Sequence, residues 1–363
     1  MKKILITAGM ILLLLILTVG GYILYMQLNY YRIEDHTQIE TQNNQTGMLI
    51  AGTDYTAVTY NIGFGAYEPT YTFFMDTGKM KDGTATQGKK ARAFSQERTA
   101  ANTQNSIQTL LELDSDFYLI EEADLNSTRS FGVNQVQAIR DAFSSYGSVY
   151  TNAFHTPFLF YPFTEPHGSV ESGLVTLSRY RIDRNIRRQL PVDNGFITKF
   201  TDLDRCFTIS YVPVNNGKTL ALVTLHLSAY DEGGKIRQKQ LEMLNEVLHS
   251  EYERGNYVIA GGDFNHDIAG TIDSFPSQQE IPEWVFQLDN SSLAEGLSFV
   301  IPENVSEVPS CRGADIPYEK GVTYTVTVDG FIVSDNVEAS SVVIDTDFAS
   351  SDHQPVKLSF RLK

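Results

Sequence analysis

The side chains with chemistry to offer stand at the ends of apolar runs. Val58-Thr59-Tyr60 stops at Asn61, Leu119-Ile120 at Glu121-Glu122, and Val223-Thr224-Leu225 at His226. Val258-Ile259-Ala260 passes through two glycines to Asp263-Phe264-Asn265, and Thr327-Val328 stops at Asp329. Ser351-Asp352-His353 precedes the last apolar run, Val356 to Leu362. Polar groups collected at strand ends are how a sheet scaffold builds a site. Asp, Glu and Asn oxygens suit a hard divalent cation such as Mg²⁺ or Mn²⁺. The only two cysteines, Cys206 and Cys311, are too few for a thiolate zinc site, and their separation does not say whether they pair. Taken singly, each element has an ordinary reading. Asn61 starts a turn, Glu122 is a solvated carboxylate and His226 is a core histidine. Gly-Gly-Asp-Phe-Asn is a tight turn, and Ser-Asp-His-Gln-Pro is a loop closed by proline. Their joint order carries the argument.

The elements that must position these groups alternate along the chain. Ala57 to Tyr60, Phe117 to Ile120, Gly173 to Leu177, Thr219 to Leu227, Tyr257 to Ala260, Tyr324 to Val333 and Val356 to Leu362 read as strands. Several are near-continuous apolar runs, the pattern of strands buried on both faces. Helical spacing covers Ser95 to Leu113, Val133 to Phe143 and Lys235 to Tyr252. The mixture predicts an α/β or α+β domain of stacked sheets flanked by helices. The irregular stretch after Asn61, rich in Gly, Thr, Tyr and Phe, is longer than an ordinary connection and reads as a functional loop.

The ordered set resembles the endonuclease/exonuclease/phosphatase superfamily, which includes DNase I-like nucleases, inositol polyphosphate phosphatases and bacterial sphingomyelinases. The residues that carry the resemblance are Asn61, Asp116-Phe-Tyr-Leu-Ile-Glu-Glu122, Ser178-Arg179-Tyr180, Thr224-Leu-His226, Gly262-Asp-Phe-Asn265, Asp329-Gly-Phe-Ile332 and Ser351-Asp-His353. The resemblance implies a four-layer α/β/β/α sandwich of two mixed β-sheets, and a metal-dependent phosphoric ester hydrolase. It implies Asn61, Glu122 and Asp352 around the metal, Mg²⁺ or Mn²⁺. It implies Asp263 on the attacking water, Asn265 positioning the phosphate, and His226 and His353 donating to phosphate oxygens, with Asp329 holding His353. In an alternative assignment, the His353–Asp329 pair is itself the general base. The family commonly has Gln before its metal-binding Glu. Here Glu121 stands in that place, a supporting or competing candidate beside Glu122.

The first stretch is unlike the rest. Lys2 and Lys3 precede an uncharged apolar run from Ile4 to Met26, long enough as a helix to cross a hydrocarbon core of about 30 Å. The run exceeds the usual core of a cleaved signal peptide, which is the second reading of this stretch; either way the remainder is exported. The expectation is a transmembrane signal anchor over 1–26, a polar stalk over 27–53 and a catalytic domain over 54–363. That arrangement places a single-pass protein in the cell membrane with its domain outside. A formal charge of −16 disfavours unspecific binding to polyanions. It leaves open a phosphate ester substrate such as a nucleic acid, a lipid headgroup or a sugar phosphate. No obligate protein partner is expected, and no segment reads as an exposed aromatic hairpin. The rival reading, a surface module that keeps the fold without turnover, requires the loss of an essential group, and all are present. Less secure candidates are His266 (read as a surface residue), the basic cluster Lys79, Lys81, Lys89, Lys90 and Arg92, and His155, His167 and Arg312.

Overall fold

The computed structural model describes residues 1–193, 195, 204–228 and 235–363. One six-stranded sheet is built from β2 (Asp54–Asn61), β5 (Phe117–Asp124), β6 (Gly147–Leu159), β7 (Gly168–Ser178), β16 (Val337–Val343) and β17 (Val356–Leu362), in the order β16-β17-β2-β5-β7-β6. The second is seven-stranded. Its strands are β1 (Thr37–Ile39), β8 (Arg184–Gln189), β9 (Cys206–Pro213), β10 (Thr219–His226), β11 (Tyr257–Asp263), β12 (Leu297–Val300) and β15 (Asp329–Ser334), in the order β1-β8-β9-β10-β11-β15-β12. Two short ladders complete the set, β3 (Thr77–Lys79) with β4 (Ala85–Gln87) and β13 (Cys311–Arg312) with β14 (Thr325–Val326). Both large sheets are mixed: β2 and β5 run parallel, as do β10 and β11, while the remaining pairs are antiparallel.

The sheets face one another. Ala57, Phe117, Leu119 and Leu358 of the first share one buried core with Leu220, Leu222, Ile259 and Phe331 of the second. Alternation in β17 shows how the sequence produces this: Val356, Leu358, Phe360 and Leu362 are buried, while Ser359 and Arg361 face outward. The outer face of the first sheet carries α2 (Gln96–Leu113) and α3 (Gln135–Ala142), through Ile107, Leu110, Val136 and Ile139. The outer face of the second carries α4 (Lys235–Glu253), through Leu244 and Leu248. The expected four layers are therefore present. Helix α2 starts where Ser95 accepts from Arg98 N–H at 3.2 Å, and stops at Asp114, whose backbone is left-handed.

At the N-terminus, α1 (Lys2–Leu28) is one continuous helix, long and apolar enough to cross a membrane. The segment after it departs from the expected stalk. Strand β1 pairs with β8, Gln42 bridges to Ser148, and Leu49 is buried in the core between the sheets. Tyr31 stacks on His155 at 3.8 Å, and Arg32 reaches Asp204 at 2.7 Å. A polar composition rich in Asn and Gln does not keep a segment off the domain when those amides find backbone partners. Asn43 and Asn44 do so, donating to Ser144 O and Ile182 O.

Candidate active site

Strand register assembles the site. Asp263, at the end of β11, is paired with His226 of β10 on one side and with Asp329 of β15 on the other. Asn61, at the end of β2, is paired with Glu121 of β5, and the facing of the two sheets brings these groups over Asp263. Gly262 allows the close strand approach, since a Cβ there would run into the Leu225 carbonyl.

One atom is the hub. Asp263 Oδ2 accepts from Asn61 Nδ2 at 3.1 Å, lies 3.2 Å from His226 Nε2 and 3.6 Å from His353 Nε2. Its other oxygen accepts from the Asn265 N–H at 2.8 Å. Burial raises the Asp263 pKa, but the neighbouring charges of His353 and His226 outweigh it and hold the carboxyl well below the usual carboxylate range. His353 Nδ1 donates to Asp329 at 2.9 Å, and Ser310 Oγ donates to the same carboxylate at 2.7 Å. Burial lowers the His353 pKa, yet Asp329 and the surrounding carboxylates push it well above its ordinary value. His226, buried and beside the charge of Arg205, is pushed down. Asn265, with φ of 52°, turns its Nδ2 onto Leu227 O at 2.8 Å.

The paired glutamates separate. The ladder between β5 and β7 shifts register between Ile120 and Ala123, and Glu122 takes a left-handed φ of 55°. Such a bulge re-aims side chains. Glu121 points into the protein, where its Oε1 accepts from Thr59 Oγ1 at 2.9 Å. Burial, with the charge of Asp329 adding to it, raises its pKa well above the ordinary value. Glu122 lines the cleft, its Oε1 3.4 Å from Asn61 Nδ2 and its Oε2 4.0 Å from Arg129.

Asp352 lies on the same cleft, with Arg312 and the Gly63 turn behind it. The Arg312 N–H donates to Asp352 O at 3.0 Å, and the Gly63 N–H donates to Asn61 Oδ1 at 3.0 Å. Burial pushes the Asp352 carboxyl up to about 6 against the pull of His353 and Arg312, and the charge of Glu122 adds to the rise. Glu122 and Asp352 line this cleft and the Asn61 amide lies behind it, oxygen groups of the kind that suit a hard divalent cation. Asp263, Asp329 and His353 also present ligand atoms within 4.8 Å of one another. There, however, the His353 imidazole already sits between the two carboxylates, 3.6 Å from Asp263 and 2.9 Å from Asp329.

All eight expected site residues therefore meet in one region of the fold. Asp263, Asn265, Glu122, His226, Asp352 and His353 line a cavity of about 620 Å³. Asn61 and Asp329 hold Asp263 and His353 from behind. The weaker candidates divide. His167 lines the cavity and bonds Ala91 O through Nδ1 at 2.8 Å, whereas His155 sits 2.6 Å from Asp204 under Tyr31. His266 is buried rather than on the surface, 2.7 Å from Phe264 O. Lys79 pairs with Glu280, Lys81 donates to Ser277 O, Lys90 pairs with Glu165 and Arg92 reaches Pro166 O. None of these four lines the cavity. Cys206 and Cys311 are unpaired and buried.

Two arginines of the cavity have no signal in the sequence. Arg129 is buried, bonded to Asp124 through Nε and Nη2, and lies over the Phe64 ring at 3.9 Å. Arg205 is buried beside His226.

A match to the Endonuclease/Exonuclease/phosphatase family spans residues 58–353, from β2 to the Ser-Asp-His segment. The chain belongs to that family. It is accordingly a metal-dependent phosphoric ester hydrolase. Among solved structures, similar folds include an endonuclease/exonuclease/phosphatase family protein from Leptotrichia buccalis, with a TM-score of 0.54 and 12% identity over 85% of this chain and 100% of that one. Truncated TDP2 from Caenorhabditis elegans gives a TM-score of 0.52 and 11% identity over 86% and 98%. TDP2 from D. rerio, complexed with a single-strand DNA product, gives 0.51 and 14% over 85% and 99%. At these identities the likeness is one of fold. No curated protein sequence matches the chain.

Proposed function

We propose that this family member is a membrane-anchored hydrolase of phosphate esters, a phosphodiesterase or phosphatase whose catalytic domain lies outside the cell. The observation that carries the catalytic part is the hub at Asp263 Oδ2, where Asn61, His226 and His353 converge within 3.6 Å on an ionised, buried carboxylate. Asn61, Glu122 and Asp352 would hold a divalent cation, Mg²⁺ or Mn²⁺. When bound, it supplies a Lewis acid that polarises a phosphoryl oxygen and offsets developing negative charge.

The remaining work falls to the chain. Asp263, fixed by its donors, orients the attacking water and takes its proton as the water oxygen adds to phosphorus. The bond to the leaving alcohol breaks, and that oxygen departs with the electron pair and takes up a proton. His353 is kept cationic by Asp329 and donates to a phosphoryl oxygen; His226 donates from the other side. Asn265, carried on the same turn, positions the phosphate. The apolar length of α1, with Lys2 and Lys3 before it, supports the anchor and its orientation.

The test is hydrolysis of 4-nitrophenyl phosphate diesters and monoesters by the full chain with Mg²⁺ or Mn²⁺, before and after EDTA. Turnover that chelation abolishes and added metal restores is the expected result. A folded, metal-loaded protein with no activity on either ester class would overturn the reading.

A further inference from the structure

The cavity above the catalytic groups is walled by aromatic rings, and one wall comes from the N-terminal helix. Phe73, Phe74, Phe160, Tyr161 and Phe163 line it together with Tyr22 of α1. The tip of the β6–β7 hairpin is fastened to that helix: Tyr22 Oη donates to Phe158 O at 3.1 Å, and the Phe158 N–H donates to Tyr25 Oη at 3.4 Å. The Tyr22 and Phe160 rings meet edge to face at 5.2 Å. Past this clasp the tip is bare, with Phe160 51%, Tyr161 62% and Phe163 84% exposed.

Tyr22 and Tyr25 lie in the last two turns of α1, roughly 5–9 Å from its end at Leu28. Tyrosines at that place in a spanning helix sit at the level of lipid headgroups. The cavity mouth then opens at the same depth, with exposed phenylalanines beside it and the phosphoryl-transfer groups at its floor. A solvent-borne polyanion would need cations along the mouth. Among the described lining residues the arginines are Arg129 and Arg205, both buried toward the floor, and Arg129 is already bonded to Asp124.

We infer that the site takes an amphiphilic phosphate ester from the bilayer itself, its apolar chain held between the β6–β7 tip, the Phe73–Phe74 loop and the anchor helix while its phosphate reaches Asp263 and Asp352. The helix is then part of the substrate site as well as a tether. The inference rests on the hydrolase and anchor readings above and goes beyond them by naming the substrate class.

The experiment uses the full chain in phosphatidylcholine nanodiscs and a series of alkyl 4-nitrophenyl phosphates, from ethyl through butyl to octyl. Burial of a methylene favours binding by roughly fourfold. The octyl ester is therefore expected to exceed the ethyl ester in kcat/KM by at least about tenfold. Partition into the disc raises the octyl rate whatever the cavity does, so the decisive reading is the octyl-to-ethyl ratio in Phe73→Ala/Phe160→Ala. That ratio should collapse toward the value set by partition alone, in a protein whose circular dichroism melt is unchanged. A flat series in the parent protein, or a ratio the double variant leaves intact, overturns the inference while the hydrolase reading stands. Faster cleavage of a short single-stranded oligothymidylate than of the octyl ester overturns it in favour of a nucleic acid. Failure to cleave any ester of the series, and 4-nitrophenyl phosphate as well, overturns the hydrolase reading, and this inference with it.

Discussion

The floor and the mouth of the cavity are built on opposite principles. At the floor, polar groups are buried and mutually bonded: Asp263 accepts from Asn61 and the Asn265 N–H between His226 and His353, Asp329 holds His353, and Glu121 is turned inward onto Thr59. At the mouth, rings from α1, the β6–β7 tip and the loop after Asn61 pack against one another, and two side-chain hydrogen bonds clasp the tip to the helix. Buried polar networks are rigid because every broken bond strands a desolvated partner. Aromatic walls are held by non-directional contact and adapt to what enters. On the readings proposed above, reaction type and substrate choice sit on separate structural elements of this chain.

The contrast is most exposed to test at the hub. Asp263→Asn should lower kcat by about 10³-fold or more, because the base is lost while the shape is kept. The same variant should melt within a few degrees of the parent; near-parental turnover would remove Asp263 from the reaction.

The two glutamates offer a finer cut within the floor. Glu122→Gln should weaken Mg²⁺ activation by roughly 100-fold, read as the metal concentration giving half-maximal rate, because it replaces a charged oxygen ligand by a neutral one. Glu121→Gln alters a side chain turned away from the cleft onto Thr59 and should change that concentration by less than about tenfold. Equal effects would mean that the bulge does not sort them as described.

Between floor and mouth stands His167, whose pKa is pushed down to about 4, chiefly by burial, with the charge of Arg129 adding. In the unfolded chain this imidazole titrates near its ordinary 6.5. Between those values the unfolded state holds more protons, so the stability His167 contributes is present above pH 6.5 and falls as the pH drops toward 4. The loss is at most about 3 kcal/mol. His167→Gln should flatten the urea midpoint across this window by that amount or less. An unchanged slope would show that His167 titrates normally in the folded protein.

Legibility in the sequence follows the same division. Asn61, His226, Asp263, Asn265, Asp329, Asp352 and His353 were visible because each ends or precedes an apolar strand, and strand ends are where a sandwich of this order places its chemistry. The choice of Glu122 over Glu121 came from the resemblance and not from the residue pattern, since one bulge decides which side chain faces the cleft and both orders satisfy the same pattern. Arg129 and Arg205 were hidden because they follow no period. Residues 27–53 looked like a stalk because short edge strands such as β1 alternate weakly and bond through backbone that composition does not report. The aromatic hairpin was missed for a related reason: Phe158 to Phe163 reads as ordinary apolar chain until packing shows which rings are left outside.

Fold class, the metal-type donor set and the apolar reach of the first helix are all written in the order of amino acids, because periodicity, residue chemistry and run length are local properties. Folding in three dimensions was needed to turn Glu121 and Glu122 to different sides, to bring Asn61, His226 and His353 together on Asp263 and to join Tyr22 to the cavity wall. These depend on the register and approach of segments far apart in the chain, and no local pattern encodes such distances.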